Sequence, residues 1–354
     1  LGFQAGDRLA VIGDNRPQLY WAELAAQALG GMAVPLYQDS IAEELAYVLA
    51  HADAKVVVAE NQEQIDKILS IRDRLPELRW LVYTNSRGMA EYKDPAIKSF
   101  AAVQKDGRSY AETHPSLIED SVARLDGDGV ALVCYTSGTT GRPKGVMLSH
   151  ANLLSVARNF TAAEPVGPDD DFLSYLPMAW IGEATYGLAI SLTTGARCNC
   201  PEDPQTLRRD LRELGPTGFI AAPRVWETIL SDIQVRAEDL SGLKRLVFNC
   251  FRNAALARTQ RQSEGKPTTL VDRVMQAIGE FLVYGPVRDQ YGFRRARWCY
   301  VGGAPLGRDT FLFFRGFGVN LKQLYGSTEV AGLVAVQRDG EAGPDTVGPP
   351  APGI

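Results

Sequence analysis

Along the first 84 residues the apolar positions switch repeatedly between two periods. Residues 8–12 form a short apolar run that closes at Gly13 and reads as a strand. From Pro17, a residue suited to a first helical turn, Leu19, Trp21, Leu24, Ala25, Ala28 and Leu29 recur at helical spacing until Gly30-Gly31. The same alternation continues with a strand at 33–36, a helix at 42–51, a strand at 56–59, a helix at 63–75 and a strand at 80–83.

Residues 85–128 are poorer in pattern and richer in charge, Gly and Pro, and read as a surface excursion. At 130–134 an apolar run leads into a glycine-rich loop, and a helical pattern starts near Ala151, which predicts strand, loop and helix. Beyond it the pattern gives a strand at 172–177, helices at 184–193 and 204–214, a strand at 218–222 and a helix at 223–236. Residues 237–290 read as helical and basic, with Arg245, Arg252, Arg258, Arg261 and Arg273. That charge is read as a solvated face rather than a phosphate- or membrane-contacting patch. A strand at 297–301, a helix at 308–316 and a strand at 321–324 complete the chain. Strand–helix alternation of this kind implies an α/β fold of layered, mainly parallel-sheet subdomains. The expected division is 1–128 for the first subdomain and 129–354 for the second, which carries the site.

Composition narrows the function classes. The 354 residues are 45% hydrophobic and 22% charged, as in ordinary globular domains. A net charge of −5 offers no basic footprint for nucleic acid. No apolar run approaches the roughly 18 residues of a membrane span, which leaves peripheral membrane contact open. Five cysteines in a chain of this length read as reduced thiols of a cytoplasmic protein rather than a disulfide framework. Cys198-Asn199-Cys200 lacks a second ligand pair at zinc spacing, and the chain has only three histidines. Asp126-Gly127-Asp128-Gly129 lacks the closing Glu of a calcium loop and reads as a turn.

Candidate chemistry concentrates in the loop Tyr135-Thr136-Ser137-Gly138-Thr139-Thr140-Gly141-Arg142-Pro143-Lys144-Gly145. Its glycines let backbone N–H groups close around phosphate oxygens, its hydroxyls add donors, and Lys144 adds a fixed cation. No Gly-Lys-Ser/Thr occurs, so it is not a Walker A loop. Two further loops follow strands, Gly302-Gly303-Ala304 and Tyr325-Gly326-Ser327-Thr328-Glu329. Open α/β sheets bind ligands at such strand ends. A flat glycine pair and Tyr325 suit a planar base, and Glu329 is a hard oxygen ligand suited to Mg²⁺ beside phosphates. Each of these short loops is, by itself, more often a plain turn.

These three motifs, in this order, resemble the large N-terminal domain of the adenylate-forming superfamily. That superfamily includes acyl- and aryl-CoA synthetases, nonribosomal peptide adenylation domains and beetle luciferases. The resemblance covers essentially the whole chain. Pro223-Arg224-Val225-Trp226-Glu227 and Asp345-Thr346-Val347-Gly348 are similar to segments of the long-chain fatty acyl-CoA synthetases. One departure is Trp180, which follows Leu176-Pro177-Met178-Ala179 where many members carry another aromatic or a histidine.

The resemblance implies a two-step ligase: a carboxylate attacks the α-phosphorus of ATP to give acyl-AMP and pyrophosphate, and CoA then displaces AMP. It implies that Thr136, Ser137, Gly138, Thr139, Thr140, Gly141 and Lys144 hold the pyrophosphate end. Gly303, Ala304, Tyr325 and Gly326 would frame adenine, Thr328 would meet the α-phosphate, and Glu329 would meet Mg²⁺. Trp180 and Gly302 would border the acyl pocket. The implied partners are thus a small carboxylic acid, ATP and CoA. The sequence breaks off within the next family motif at residues 348–354, and family residues that assist adenylation lie beyond that point. The chain as given is therefore expected to bind ATP yet adenylate very poorly. Alternative readings are a ligase that passes its acyl group to a carrier protein, a non-catalytic nucleotide- or acyl-binding module, and a structural scaffold.

Overall fold

The computed structural model describes residues 1–136 and 141–354. Two compact units emerge, one made of Leu1–Val156 with Ser174–Ala189, the other of Ala157–Leu173 with Ile190–Ile354.

In the first unit, β1 (Arg8–Ile12), β2 (Met32–Leu36), β3 (Ala54–Ala59), β4 (Trp80–Tyr83), β5 (Ile97–Ser99), β6 (Val130–Thr136) and β7 (Lys144–Ser149) form one sheet. Its order is β5-β4-β3-β1-β2-β6-β7, and every pairing is parallel except the last. Ala10, Val11, Ile12, Ala33, Val34 and Val57 have no solvent exposure, as expected for central parallel strands covered on both faces. The crossover helices Pro17–Ala28 and Ala42–His51 start and stop close to the bounds the sequence predicts, and the third, Gln62–Leu69, starts close to its own. The third ends early because a tight 3₁₀ turn at Arg72–Arg74 carries the chain to the buried Leu75.

In the second unit, β8 (Asp171–Leu173) pairs in parallel with β9 (Arg197–Asn199). A second sheet runs β10 (Gly218–Ala221), β11 (Trp298–Val301), β12 (Leu321–Tyr325), β13 (Ala335–Val336), with the last pair antiparallel. Its core is aromatic. Phe160 packs edge-on to Trp298 and Tyr300 with ring centroids 5.5 and 5.6 Å away, and Trp226 stacks on Phe293 at 5.4 Å. Gly218 is fixed by this packing, since a Cβ there would lie 2.2 Å from the Trp298 ring.

Several expectations are corrected. The glycine-rich loop is followed by a strand, not by a helix: β7 folds back antiparallel on β6 before the helix His150–Ala163 begins. The short run Val146-Met147-Leu148 is long enough to pair but too short to stand out by period. The expected surface excursion at 85–128 contains β5 and the helices Phe100–Thr113 and Leu117–Ala123. The former fully buries none of its residues. The strand at 172–177 shrinks to β8, and the helix at 184–193 is a wider π-helical turn, Glu183–Ala189, continued by Ile190–Thr194. Strand β6 pairs with β2 and so belongs to the first sheet, within the compact unit that holds Leu1–Val156.

The π-helical turn is anchored by buried polar groups. Glu183 Oε1 accepts from Tyr20 Oη at 2.8 Å and from Ser174 Oγ at 2.7 Å. Asn15 Nδ2 donates to Tyr20 Oη, Ser174 Oγ and the Leu176 carbonyl. Gly187 leaves room for this carboxylate, since a Cβ there would stand 2.0 Å from Glu183 Oε1. Burial pushes Glu183 up to about 7, against the pull of the Ser174 and Tyr20 hydroxyls. Glu23, also fully buried and with its Oε1 unpartnered, is pushed up to about 8 by burial and by the neighbouring Glu183. Both acids therefore bind protons more tightly folded than unfolded.

Their contribution to stability is complete below pH 4.5, the ordinary carboxyl value, and is lost as pH rises toward about 8. Glu23→Gln is expected to stabilise the protein at pH 8 by on the order of a few kcal/mol and to have little effect at pH 4.5. Urea unfolding at the two pH values checks this, and an equal effect at both would refute it.

Candidate functional site

In the first unit the sheet places the glycine loop at the carboxyl end of β6. Thr136 closes that strand, half-buried, and stands directly opposite Lys144, the first residue of β7. Ser137, Gly138, Thr139 and Thr140 lie outside the described residues. Gly141 has φ +120°, a backbone geometry that favours glycine, and is exposed. Lys144 is exposed as well, so its ammonium is available to an anion. Gly145 is held by packing: a Cβ would come within 2.9 Å of Val133 Cγ1 and 3.2 Å of the Tyr135 ring.

The returning arm of the loop is tied to the helix Ala42–His51. Tyr47 Oη donates to the Pro143 carbonyl at 3.1 Å, and the Arg142 guanidinium lies 5.3 Å from the centre of the Tyr47 ring. His51 Nδ1 is 2.8 Å from Tyr135 Oη. Tyr47 and His51 were not singled out by sequence reasoning, although their i, i+4 spacing puts them on one helix face. Trp180 is half-buried and begins the turn into the π-helical segment, its backbone N–H bonding Pro177 and its carbonyl receiving Glu183. π-Helical turns are often found at functional sites.

In the second unit, β10, β11 and β12 are parallel and in register, Ala221 opposite Val301 and Val301 opposite Gln323. The loops after β11 and β12 therefore leave the same sheet edge side by side. Gly302 is buried, its N–H 3.3 Å from the Ala221 carbonyl, and a Cβ there would strike Leu324 Cδ1 at 2.6 Å. Gly303 takes φ +88° and is exposed with Ala304. The structure thus brings Gly302, Gly303, Ala304, Tyr325, Gly326, Thr328 and Glu329 to one edge.

Tyr325 ends β12 with 55% of its surface exposed, leaving its ring free to stack. Gly326 has no space for a side chain, because a Cβ would lie 2.0 Å from the Gly332 carbonyl oxygen. Thr328 opens the 3₁₀ turn Thr328–Val330, which closes through Gly332 N–H to the Ser327 carbonyl at 2.9 Å. Glu329 points to solvent. Its own backbone N–H and the Ser327 hydroxyl hold its carboxyl below the usual range, so it stays ionised. No cluster of three or more His, Cys, Asp or Glu side chains that could hold a metal occurs among the described residues. A single ionised carboxylate still fits Mg²⁺, which commonly takes one or two carboxylates and completes its shell with water and phosphate oxygens.

Comparison with known proteins places this geometry in context. Long-chain-fatty-acid–CoA ligase ACSBG1 of Homo sapiens is 30% identical over 346 residues, covering 94% of this chain and 46% of the relative. Long-chain-fatty-acid–CoA ligase ACSBG2 of Xenopus laevis is 28% identical over 340 residues, covering 94% of this chain and 45% of the relative. The chain thus spans about half the length of the curated relatives it matches. Among solved structures, the anthranilate CoA ligase AuaEII in complex with anthranoyl-AMP superposes with a TM-score of 0.69 at 18% identity. That match covers 99% of this chain and 56% of the other. ATP-bound MatB from Rhodopseudomonas palustris gives a TM-score of 0.62 at 21% identity, over 99% of this chain and 56% of the other. At these identities the structures speak for the fold alone. The profile of the AMP-binding enzyme family matches residues 1–354 from end to end, and the chain belongs to that family.

Proposed function

We propose that this chain is the nucleotide- and acid-binding part of an AMP-forming acyl-CoA ligase acting on a long-chain fatty acid. The observation that carries the reading is the shared edge of β11 and β12. There a glycine in left-handed geometry, an exposed tyrosine ring and an ionised glutamate emerge together. The matched relatives, long-chain-fatty-acid–CoA ligases by name, support the choice of acid.

In this reading Gly303 and Ala304 offer a flat backbone to adenine and Tyr325 covers the base. Thr328 donates to the α-phosphate, and Lys144 with Thr136 and the loop hydroxyls Ser137, Thr139 and Thr140 neutralise the pyrophosphate end. Gly138 and Gly141 give the loop its close approach. Glu329 would hold Mg²⁺, which supplies charge neutralisation on the phosphates. Trp180 and Gly302 border the acyl group. The reacting nucleophile is the substrate's own carboxylate, so the protein's task is placement and electrostatic stabilisation as charge builds on the phosphates. CoA is the acyl acceptor. A cytoplasmic setting suits this reading, and the Cys134 and Cys299 thiols are buried, pushed up by that burial and thus unreactive.

Lys144→Ala is expected to weaken Mg²⁺–ATP binding by about 10- to 100-fold, the loss of one charge-assisted phosphate contact. Glu329→Gln should remove the Mg²⁺ dependence of ATP binding while leaving metal-free binding unchanged. Calorimetric titration of the two variants tests both, and wild-type affinity in Lys144→Ala would sink the assignment of the loop.

Acid-dependent pyrophosphate release by the full-length protein, measured over saturated acids of graded length and aryl acids, should peak among the long chains. AMP release should then require CoA. A preference for aryl acids, or AMP release that needs a carrier protein in place of CoA, would replace this reading.

A further inference from the structure

The helix Leu270–Gly279 and the turn Glu280–Tyr284 are built inside out. Leu270, Val271, Val274, Ile278, Phe281 and Leu282 recur at the three- and four-residue steps of one helical face. Such a stripe ordinarily faces a core. Here it faces solvent, with Phe281 83% and Leu270 75% exposed, while Asp272 and Gly279 are turned inward. The stripe runs for about 18 Å at the helical rise per residue. At Leu282 it meets an apolar groove of about 560 Å³, whose far wall is Leu240, Leu243 and Val247 on the preceding helical segments. Leu243 and Leu246 extend the exposed apolar surface there.

Few charges stand within the stripe segment, and at the groove Arg236 is ion-paired to Asp232. Of the two acids within the stripe segment, Asp272 is buried against Arg261 and Thr269, and Glu280, its side chain 41% exposed, is ion-paired with Arg288. Arg273, between Val271 and Val274, is exposed and is the outward cation of the segment. Arg236 and Lys244 line the groove, and Lys244 is exposed. The exposed carboxylates of Glu238, Asp239 and Asp289 lie outside both the stripe and the groove lining. Of the arginines in the basic stretch, Arg245 and Arg273 are exposed, Arg261 is ion-paired to Asp272 and Arg258 donates to the Gly316 carbonyl.

We infer that this face docks on an anionic lipid bilayer, the helix lying in the interface plane with its stripe among the acyl chains. A helix with an apolar face and flanking Lys/Arg binds there by apolar burial and by attraction to anionic headgroups. A second copy fits less well, because a self-complementary contact would bring two cation-bearing faces together. The inference stands apart from the proposed catalytic reading, since docking needs neither nucleotide nor acid.

The test is flotation of the chain with vesicles of phosphatidylcholine alone or mixed with phosphatidylglycerol. Binding is expected to the mixed vesicles and to weaken with salt. Ile278→Ser combined with Phe281→Ser should lower the partition at least about tenfold. Arg273→Gln and Lys244→Gln should each lower it about fivefold on anionic vesicles. Unchanged thermal unfolding and ATP binding in the same variants separates docking from folding or catalysis. As a second readout, Phe281→Trp should be quenched by brominated lipid acyl chains. No binding, binding that the double serine variant retains, absence of quenching, or self-association abolished by that variant without vesicle binding would each overturn the inference.

Discussion

The second unit depends on a buried cation. Lys322 sits in the middle of β12 with 1% of its side chain exposed, ion-paired to the buried Glu164 and to Asp339 at 2.9 Å. Its ammonium lies 5.0 Å from the centre of the Tyr300 ring, and the Tyr300 hydroxyl reaches the same Glu164 carboxylate at 3.0 Å. A buried charge is tolerated only when paired and hydrogen-bonded, and removing one partner typically costs about 3–5 kcal/mol. The pairing therefore pins three separate segments: the residue after the helix His150–Ala163, the centre of β12, and the turn after β13.

The residue next in line extends this anchoring. Gln323 Nε2 donates to the carbonyls of Gly343, Pro344 and Thr346, and Gln337 Nε2 reaches Gly343 at 2.7 Å. Gln337 Oε1 in turn accepts from the Gln323 backbone N–H at 2.7 Å. A strand held this firmly on both faces gives its end a fixed position. That end is Tyr325, followed by the threonine and glutamate proposed to meet phosphate and metal. Placing site residues on rigid strand ends is what lets short loops hold a geometry.

The first unit reaches a similar result with different chemistry. There β6 and β7 pair antiparallel on the edge of a parallel sheet, so Thr136 and Lys144 are fixed opposite one another by backbone pairing. The turn bearing Trp180 rests on a neutral-leaning acid, Glu183, surrounded by hydroxyl and amide donors. In both units, buried polar groups hold the segments that carry candidate chemistry, while the apolar core holds the sheets. The inside-out helix at 270–282 is the exception, an apolar surface that the core leaves uncovered.

The sequence by itself determined the strand–helix alternation, because apolar runs and helical spacing are local properties of the chain. It also determined the chemical types at the three loops, since glycine, hydroxyl, lysine and glutamate mean the same thing wherever the chain goes. Tertiary structure decided the rest. The place of β6 in the first sheet rests on its pairing with β2, a contact between residues 33 and 132. The helix Phe100–Thr113 fully buries none of its residues. Lys322 and Gln323 look like surface residues until their partners arrive from 14 to 158 positions away. The stripe from Leu270 to Leu282 has the period of a core helix, and only the fold shows it facing outward. Period records that a face is apolar; what covers that face depends on contacts the local sequence does not contain.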